Sequence, residues 1–293
     1  MAGTCGRAVR EARGHDIPQR PTKERPSMTV ITVIGLGEAG RLYGEGLAGA
    51  GAEVRGFDPF ITVESEAITQ YDALAEALDG SAVALSLVGA RAALTVAEQA
   101  AAAVRGAEST AGSPLVFADL NTAGPEVKQA VGTAVQAAGL LPCDAAVMAP
   151  VPRAAHRTEL IVSGPASGRL AELLGPLGAP VEAIGGEMGD AAQLKLLRSV
   201  FMKGLATLII ETLTAAEASG QRERLAVQIA AELGPDGAAL VDRLVTGTHA
   251  HAERREHEVS DALDELRRLG TPHDMTEATL AWFRRILDDR AEH

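Results

Sequence analysis

A glycine-rich loop that directly follows a short strand pattern constrains this chain more than any other feature. Residues 30–40 read VITVIGLGEAG, a β-branched run followed at once by the loop. The β-branched run predicts a buried strand. A helical pattern over residues 41–49 comes next, and then a second strand pattern over residues 53–57 that ends at Asp58, 18 residues after Gly40. Strand, loop, helix and terminal acid together predict a dinucleotide-binding βαβ unit, which an isolated G-x-G-x-x-G match would not.

Each loop glycine has a separate expected role in such a unit. Gly35 allows the tight turn, Gly37 lets a pyrophosphate approach the backbone, and Gly40 lets the helix lie close to the strand. The helix N-terminus adds free N–H groups and the positive end of the helix dipole. A purely structural glycine turn is the alternative, and the strand, helix and acid around the loop argue against it.

The acid at the end of the second strand bears on the choice of cofactor. The Asp58 carboxylate can accept hydrogen bonds from the adenosine ribose diol, and it would repel a 2′-phosphate. Pro59 and Phe60 supply no compensating base, and alternation along the strand points Arg55 away from Asp58. The sequence therefore favours NAD over NADP.

The alternation of strand and helix patterns continues through the first two thirds of the chain. Further strand patterns occur at residues 82–88, 115–119, 143–147 and 160–163, with helical patterns at 92–104 and 125–138. After Gly220 the periodicity is helical, with breaks at Gly234 and Gly270. We predict an α/β fold, a Rossmann-type doubly wound parallel sheet followed by an all-α C-terminal domain. The expected divisions are a disordered tail (1–27), an NAD-binding Rossmann domain (28–188) and a helical substrate and dimerisation domain (189–293).

Ligands bind open α/β sheets at the carboxyl ends of the strands, so the strand ends identify the expected cleft. Leu87 and Val88 end one strand, and Asn121 and Thr122 follow the next. The complete predicted cofactor site is Gly35, Leu36, Gly37, Glu38, Ala39, Gly40, Asp58, Leu87 and Val88.

Charge and composition exclude several other classes of protein. The 293 residues are 46% hydrophobic and carry a formal net charge of -12, so nucleic acid is not an expected partner. The most apolar run, residues 200–213, contains Lys203 and Glu211, and no membrane span is expected. Cys5 and Cys143 predict neither a structural disulfide nor a metal site. Residues 1–27 carry three prolines and no apolar run, which predicts disorder, with a basic targeting arm as the alternative. The expected location is the cytoplasm.

A lysine near the start of the longest helical pattern is the candidate proton-transfer residue. Residues 189–199 read GDAAQLKLLRS, and helical spacing puts Lys195 and Ser199 on one face, with Arg198 beside them. A free lysine titrates near pH 10.4, so an efficient base at neutral pH needs desolvation or a neighbouring cation such as Arg198. The alternative is a solvated helix lysine, since Lys203 is equally placed on that face.

Four segments, in this order, resemble the β-hydroxyacid dehydrogenase superfamily, which includes 3-hydroxyisobutyrate dehydrogenase and 6-phosphogluconate dehydrogenase. They are residues 35–40, 119–125, 144–147 and 189–195, and the resemblance covers residues 29 to about 220. It implies that Lys195 transfers the proton during hydride transfer and that the segment around Thr122 binds a substrate carboxylate. It also implies a homodimer formed through the C-terminal helices.

Departures from the family pattern fall on the substrate side. Asn121 stands in place of a serine, Met148 begins the segment that replaces a serine–glycine pair, and Ser199 replaces an asparagine. Ala191 likewise replaces a glycine. These changes indicate a bacterial subgroup with an unassigned substrate. The predicted substrate contacts are Asn121, Thr122, Met148, Arg198 and Ser199.

The sequence thus predicts an NAD-dependent dehydrogenase acting on the CH–OH group of a small hydroxy acid or alcohol, with an anionic substrate expected. His251, Arg254, Arg255 and Glu258 share a helix face that would suit an anion, although a salt-bridged exposed helix is the simpler interpretation. Two other functions stay open. One is imine reduction on the same scaffold, against which the presence of Lys195 argues, and the other is a non-catalytic NAD-binding sensor.

Overall fold

A computed structural model describes residues 28–105 and 113–291 of the chain. The predicted disordered tail, residues 1–27, lies outside the described residues, as does Cys5. Within the described ranges, no helix is both long enough and apolar enough to cross a bilayer.

The N-terminal part of the described chain is built on one eight-stranded sheet with helices on both faces. The strands are β1 (Val30–Ile34), β2 (Glu53–Phe57), β3 (Thr69–Gln70), β4 (Val83–Ser86), β5 (Val116–Asp119), β6 (Leu141–Val147), β7 (Leu160–Ser163) and β8 (Val181–Gly185). The helices are α1 (Glu38–Gly49), α2 (Leu74–Leu78), α3 (Ala93–Val104), α4 (Pro125–Gln136) and α5 (Ser167–Leu174). The strand order β3-β2-β1-β4-β5-β6-β7-β8 confirms the predicted doubly wound sheet.

The strand order reverses between β1 and β4, which are parallel neighbours in the sheet. From β1 the chain proceeds outward to β2 and β3 on one side, whereas β4 begins the other half. Crevices at such reversals are the usual ligand sites of open α/β sheets. The loop after β1 and the end of β4 meet at this reversal.

One strand pair departs from the predicted parallel arrangement. Strand β7 runs antiparallel to β6, with Asp144 opposite Ser163. The connection between these strands contains only short 3₁₀ turns, at Val151–Arg153 and Ala155–Arg157. A parallel return needs a long crossover, usually an α-helix on one face of the sheet, so this connection turns the chain back instead. Helix α5 then provides such a crossover, and β8 is parallel to β7.

Two apolar clusters fill the two faces of the sheet. One packs α1 and α5 against the strands through Tyr43, Leu47 and Leu170, all fully buried. The other packs α3 and α4 against the opposite face, with Phe117 and Val131 at its centre. Strands β1, β4, β5 and β7 are therefore buried on both faces of the sheet, which is why they read as largely apolar runs.

The C-terminal part consists of five helices in the described residues. They are α6 (Asp190–Ala218), α7 (Arg222–Glu232), α8 (Gly237–Ala250), α9 (Ala252–Arg268) and α10 (Asp274–Ala291). The predicted breaks at Gly234 and Gly270 are observed, and these two glycines have a positive φ, as does Gly220 after α6. The break at His251 between α8 and α9 was not predicted, because neither glycine nor proline marks it. Helix α6 joins the two halves, since it contacts β6 and β7 as well as α8, α9 and α10.

Candidate functional site

The glycine loop lies tightly against the end of β4 but is open at its middle glycine. A Cβ on Gly35, whose φ is +91°, would lie 2.6 Å from the carbonyl oxygen of Leu87. A Cβ on Gly40 would lie 1.8 Å from the carbonyl oxygen of Gly35, so α1 reaches the loop closely only because Gly40 has no side chain. Around Gly37, by contrast, no atom lies within 4 Å of the Cβ position. The start of α1 is therefore open where a phosphate group would approach the helix N-terminus.

The carboxylate of Asp58 closes the far side of the loop. Its Oδ2 accepts a hydrogen bond of 2.8 Å from the backbone N–H of Leu36, and its Oδ1 accepts from Phe60 (2.9 Å) and Ile61 (3.1 Å). The acid at the end of β2 thus contacts the glycine loop directly. The guanidinium of Arg55 is engaged elsewhere, with Glu53 at 3.0 Å and above the Tyr71 ring at 5.7 Å.

Asn121 ties together the carboxyl ends of β4 and β5. Its Oδ1 accepts hydrogen bonds from the backbone N–H groups of Val88 (2.7 Å) and Gly89 (2.6 Å). Its Nδ2 donates to Asp119 Oδ1 (2.6 Å) and Ser86 Oγ (3.1 Å). A serine hydroxyl has a single donor and cannot make this set. The substitution that departs from the family pattern is thereby explained as a tether, while a substrate contact by Asn121 stays a prediction.

The side chain of Lys195 lies next to this strand edge. Its Nζ donates a hydrogen bond of 3.1 Å to the hydroxyl of the exposed Thr122. Lys195 is held there because the start of α6 is anchored on the sheet, where Ala191 N–H donates to Ser163 Oγ (3.0 Å) and Ala192 N–H donates to Asp144 Oδ2 (2.9 Å). The loop after β5 and the second turn of α6 therefore face each other as predicted.

The entry to α6 depends on Gly189. This residue has a φ of +105°, and a Cβ there would lie 2.9 Å from the backbone oxygen of Pro125, at the start of α4. Glycine alone permits both the backbone conformation and the close approach. The glycine of the predicted 189–195 segment thus sets the position of α6 against α4.

The environment of Lys195 favours its neutral form. The pKa of Lys195 is lowered to about 8, first by burial and then by the positive charges of Lys128 and Lys203, against the opposing effect of Glu258 and Asp144. Arg198, the cation that the sequence suggested for this role, is exposed and lies on the adjoining side of α6. The interacting cations are instead Lys128, from α4, and Lys203, two turns further along α6.

The structure distinguishes Lys195 from Lys203, which spacing alone did not. Lys203 Nζ forms an ion pair of 2.8 Å with Glu258 and donates to the Ser199 hydroxyl at 3.2 Å. Within residues 28–105 and 113–291, Lys195 has no carboxylate within 4.0 Å. Burial would raise the pKa of Glu258, but the charge and hydrogen bond of Lys203, together with the charges of Arg254 and Lys195, outweigh it, and the pKa is lowered. Lys203 is thus neutralised by an anion, and Lys195 is the lysine with a lowered pKa.

A buried lysine that was not predicted from the sequence, Lys128, contacts the strand ends that carry Asp119 and Asp144. Lys128, on α4, is 1% exposed. Its Nζ lies 3.0 Å from Asp144 Oδ1 and 3.1 Å from Asp119 Oδ2, and it donates to the Asp119 carbonyl oxygen at 2.7 Å. The available signal was its position three residues before Val131, on the apolar face of α4, where a charge needs a buried partner.

The remaining predicted contacts lie around the start of α6 and on α9. Met148 packs against Ala146, Ile161 and Ala191, and so covers the first turn of α6. On α9, Arg254 forms an ion pair of 2.5 Å with Glu258, so that part of the predicted anion-binding face is salt-bridged. Arg255 donates to the Thr248 hydroxyl at 2.7 Å.

Comparisons with known proteins agree with this architecture. Residues 216–286 match the family described as a domain of unknown function, DUF1932. An uncharacterized 28.5 kDa protein of Methanothermus fervidus is 27% identical over 146 residues, which is 50% of this chain and 56% of that protein. The match thus spans little more than half the length of this curated relative.

Solved structures cover more of the chain. A conserved hypothetical protein from Sinorhizobium meliloti 1021 is 30% identical over 88% of both chains, with a TM-score of 0.70. The conserved protein MTH1747, described as structurally similar to 3-hydroxyacid dehydrogenases, is 26% identical over 89% of this chain and 98% of its own, with a TM-score of 0.73. Mycobacterium tuberculosis 3-hydroxyisobutyrate dehydrogenase, solved with L-serine, shares the fold at 22% identity over 89% and 94%, with a TM-score of 0.73.

A second group of enzymes has the same fold. An imine reductase from Myxococcus stipitatus, solved in complex with NAD+, is 17% identical over 89% of this chain and 94% of its own, with a TM-score of 0.61.

Proposed function

We propose that this chain, which shares the fold of 3-hydroxyisobutyrate dehydrogenase and resembles the β-hydroxyacid dehydrogenase superfamily in its motifs, transfers hydride between a small hydroxy acid or alcohol and a nicotinamide cofactor. Lys195 is the proposed proton-transfer residue. The observation that carries the proposal is the 3.1 Å contact between Lys195 Nζ and Thr122 Oγ1, at the sheet edge that also bears the end of β4. NAD is the proposed cofactor, and the cytoplasm the proposed location.

The glycine loop fits a dinucleotide. The open space at Gly37 leaves room for a pyrophosphate at the start of α1, and Gly35 and Gly40 allow the close contacts that shape the loop. Val88, whose N–H is held by Asn121, and Leu87 before it would line the nicotinamide side. The cofactor supplies the hydride acceptor or donor, while the protein supplies binding, orientation and the proton.

The lowered pKa of Lys195 suits both directions of the reaction. In oxidation the neutral amine accepts the proton from the substrate hydroxyl as the carbonyl forms, and in reduction the ammonium returns it. The Thr122 hydroxyl accepts a hydrogen bond from the Lys195 amine and so holds it beside the carboxyl end of β5. A pKa near ambient pH allows one group to serve in both protonation states.

An anionic substrate is part of the proposal. Lys195 and Arg198 on α6 and Arg255 on α9 are cations of the helical half whose charges are not neutralised by ion pairs within the described residues. A carboxylate or phosphate would find complementary charge beside Lys195, although the chain as a whole is acidic.

The test of the function begins with cofactor binding. Purified protein is mixed with NADH or NADPH and its thermal unfolding is followed, and then hydroxy acids, alcohols and keto acids are screened by nicotinamide absorbance. We expect stabilisation by NADH and turnover with an acid substrate. Binding without turnover across a broad panel would support the sensor alternative, and turnover of cyclic imines alone would support imine reduction.

The choice between NAD and NADP is expected to depend on Asp58. Asp58→Asn removes the charge that would repel a 2′-phosphate, and its single amide oxygen replaces only one of the two carboxylate oxygens, which accept from Leu36 on one side and from Phe60 and Ile61 on the other. We expect the preference for NADH over NADPH to fall by about tenfold, because like-charge repulsion at a binding interface costs one to several kcal/mol. Titration calorimetry with both cofactors measures the change. Glu45→Gln on α1 serves as the charge control, and an unchanged preference in Asp58→Asn would contradict the assignment.

The exposed face of α6 supports the proposed homodimer. Leu194, Leu197, Phe201 and Leu208 repeat at intervals of three, four and seven residues, which places them along one side of the helix. Phe201 is 66% exposed. Helix α7 also has no buried residue within the single chain. An apolar stripe of this length on one face marks a protein interaction site.

Phe201→Asp is expected to convert the protein from dimer to monomer. The substitution places a charge in the centre of the apolar stripe, where a second copy would bury it without a partner. Size-exclusion chromatography with light scattering gives the mass of each variant. Phe60→Asp, at a 94% exposed position of the nucleotide half, is the matched control and should leave the mass unchanged. A monomeric wild type would rule the dimer out.

A further inference from the structure

Lys128 contacts both β5 and β6 through Asp119 and Asp144. These two strands hold the two parts of the candidate site, the loop after β5 and the start of α6. The Lys128 ammonium group donates one hydrogen bond, to the Asp119 carbonyl oxygen at 2.7 Å, and forms ion pairs with Asp144 Oδ1 at 3.0 Å and Asp119 Oδ2 at 3.1 Å. Asp119 and Asp144 are paired positions of the neighbouring strands β5 and β6. One buried cation therefore separates two buried carboxylates that would otherwise face each other directly.

Each of these carboxylates supports one side of the site through its second oxygen. Asp144 Oδ2 accepts the N–H of Ala192, three residues before Lys195. Asp119 Oδ1 accepts both the backbone and the side-chain N–H groups of Asn121, which in turn holds Val88. The lysine-bearing helix and the end of β4 are thus connected through a single ammonium group.

We propose that Lys128 is a positioning residue, which holds Asp144 against the first turn of α6 and so sets both the place of Lys195 and the charge around it. This inference rests on the proposed function of Lys195. Lys128 itself is 1% exposed and acts only through its neighbours, so it does not touch a substrate.

The charged groups around Lys195 come from four elements. Lys128 on α4 and Lys203 on α6 favour its neutral form, while Glu258 on α9 and Asp144 on β6 favour its charged form. Lys128 has the largest effect among these charges, after burial itself. Without Lys128, the carboxylate of Asp144 would act on Lys195 unopposed by its partner cation, and Lys195 would keep its proton to higher pH.

The test measures the titration of Lys195 directly and needs no substrate. The full-length protein is labelled with trace acetic anhydride over a range of pH, and the acetylation of Lys195 is quantified by mass spectrometry. We expect a midpoint near pH 8 in the wild type and an upward shift of about one pH unit in Lys128→Met. Val131→Ala, a core truncation on the same helix, is the control for general loosening and should leave the midpoint unchanged.

Two further comparisons keep the test decisive if Lys128→Met does not fold. Lys128→Arg retains the charge and is expected to keep the wild-type midpoint. The double variant Lys128→Met with Asp144→Asn has no facing pair of buried carboxylates, and its midpoint is expected to lie above that of Asp144→Asn alone. Equal midpoints in that last pair, or an equal shift in Val131→Ala, would overturn the proposal.

The outcome is separable from that of the proposed function. If Lys195→Met retains full turnover, the proton-transfer role fails, yet the labelling midpoints still report whether Lys128 controls the titration of Lys195. If Lys195→Met is inactive while the midpoints do not depend on Lys128, the function stands and the positioning role falls.

Discussion

Lys195→Met is expected to lower kcat by about 10²- to 10⁴-fold, the usual contribution of a general acid–base group. The variant keeps the length and the apolar stem of the side chain but can neither accept nor donate the proton at the substrate oxygen. NADH affinity should change by less than about twofold, because the glycine loop and Asp58 lie on other elements. Single-turnover kinetics with the substrate found by screening, together with calorimetric titration of NADH, measure the two effects.

Lys203→Met is the matched comparison for this prediction. Lys203 lies on the same helix but is paired with Glu258 at 2.8 Å, so its removal should cost activity far less than the removal of Lys195. An equal loss in both variants would show that the charge of the cleft matters, rather than proton transfer by Lys195. Full activity in Lys195→Met would exclude the assignment.

The pH profile provides a second check on the same residue. Oxidation needs the neutral amine, so its rate should rise as pH increases through about 8, the lowered pKa of Lys195. Reduction needs the ammonium form and should show the opposite trend. A profile that continues to rise toward pH 10 would indicate an ordinary solvated lysine.

Gly37→Ala and Gly40→Ala are expected to fail in different ways. At Gly40 the added methyl would lie 1.8 Å from the Gly35 carbonyl oxygen, so α1 and the loop must separate. Overpacking of this kind costs about 1–3 kcal/mol in the free energy of unfolding. At Gly37 nothing lies within 4 Å and φ is -61°, so the cofactor-free protein should keep its stability. There the methyl instead occupies the space that a pyrophosphate needs, and NADH affinity should fall by tenfold or more.

Chemical denaturation without cofactor and calorimetric titration with NADH separate these two effects. Gly168→Ala, on α5, is the matched control, since it also has open surroundings and lies in a helix away from the loop. It should leave NADH affinity unchanged and raise the free energy of unfolding by about 0.5–1 kcal/mol, because alanine is favoured over glycine within a helix. If Gly37→Ala bound NADH as tightly as the wild type, the cofactor would not lie across this loop.

Much of the fold was predictable because its signals are local. The β-branched run, the loop glycines and Asp58 lie within 29 residues. The apolar pattern of the strand, the tight turn at the glycines and the distance from Gly40 to Asp58 together specify one βαβ unit. Strands β3 and β8 were not predicted. Strand β3 is only two residues long, and β8 contains a glutamate, an alanine and a glycine among its five residues, so that neither forms a strong apolar run. Strand β7 runs antiparallel to β6 because no crossover helix lies between them in the described chain. The periodicity of a strand gives no information on its direction in the sheet.

The candidate site was predictable only in part, because its chemistry depends on long-range partners. Lys195 and Lys203 are equivalent by helical spacing, and they differ only because Glu258, 55 residues further along, pairs with the second. Lys128 is a single lysine on α4 until β5 and β6 bring Asp119 and Asp144 together around it. The substrate contact predicted for Asn121 stays a prediction, and the four hydrogen bonds of its side chain to Val88, Gly89, Ser86 and Asp119 depend on where β4 and β5 end.

The sequence by itself therefore determined the dinucleotide unit, the alternation of strands and helices over most of the first half, the helical character of the second half, and the presence of a lysine near the start of the longest helix. These depend on backbone preference and on side-chain periodicity over a few turns. Only the tertiary structure decided which lysine has its pKa lowered and which buried cation influences it. Desolvation and charge act through space, and the groups that shift the pKa of Lys195 come from α4, β6, α6 and α9.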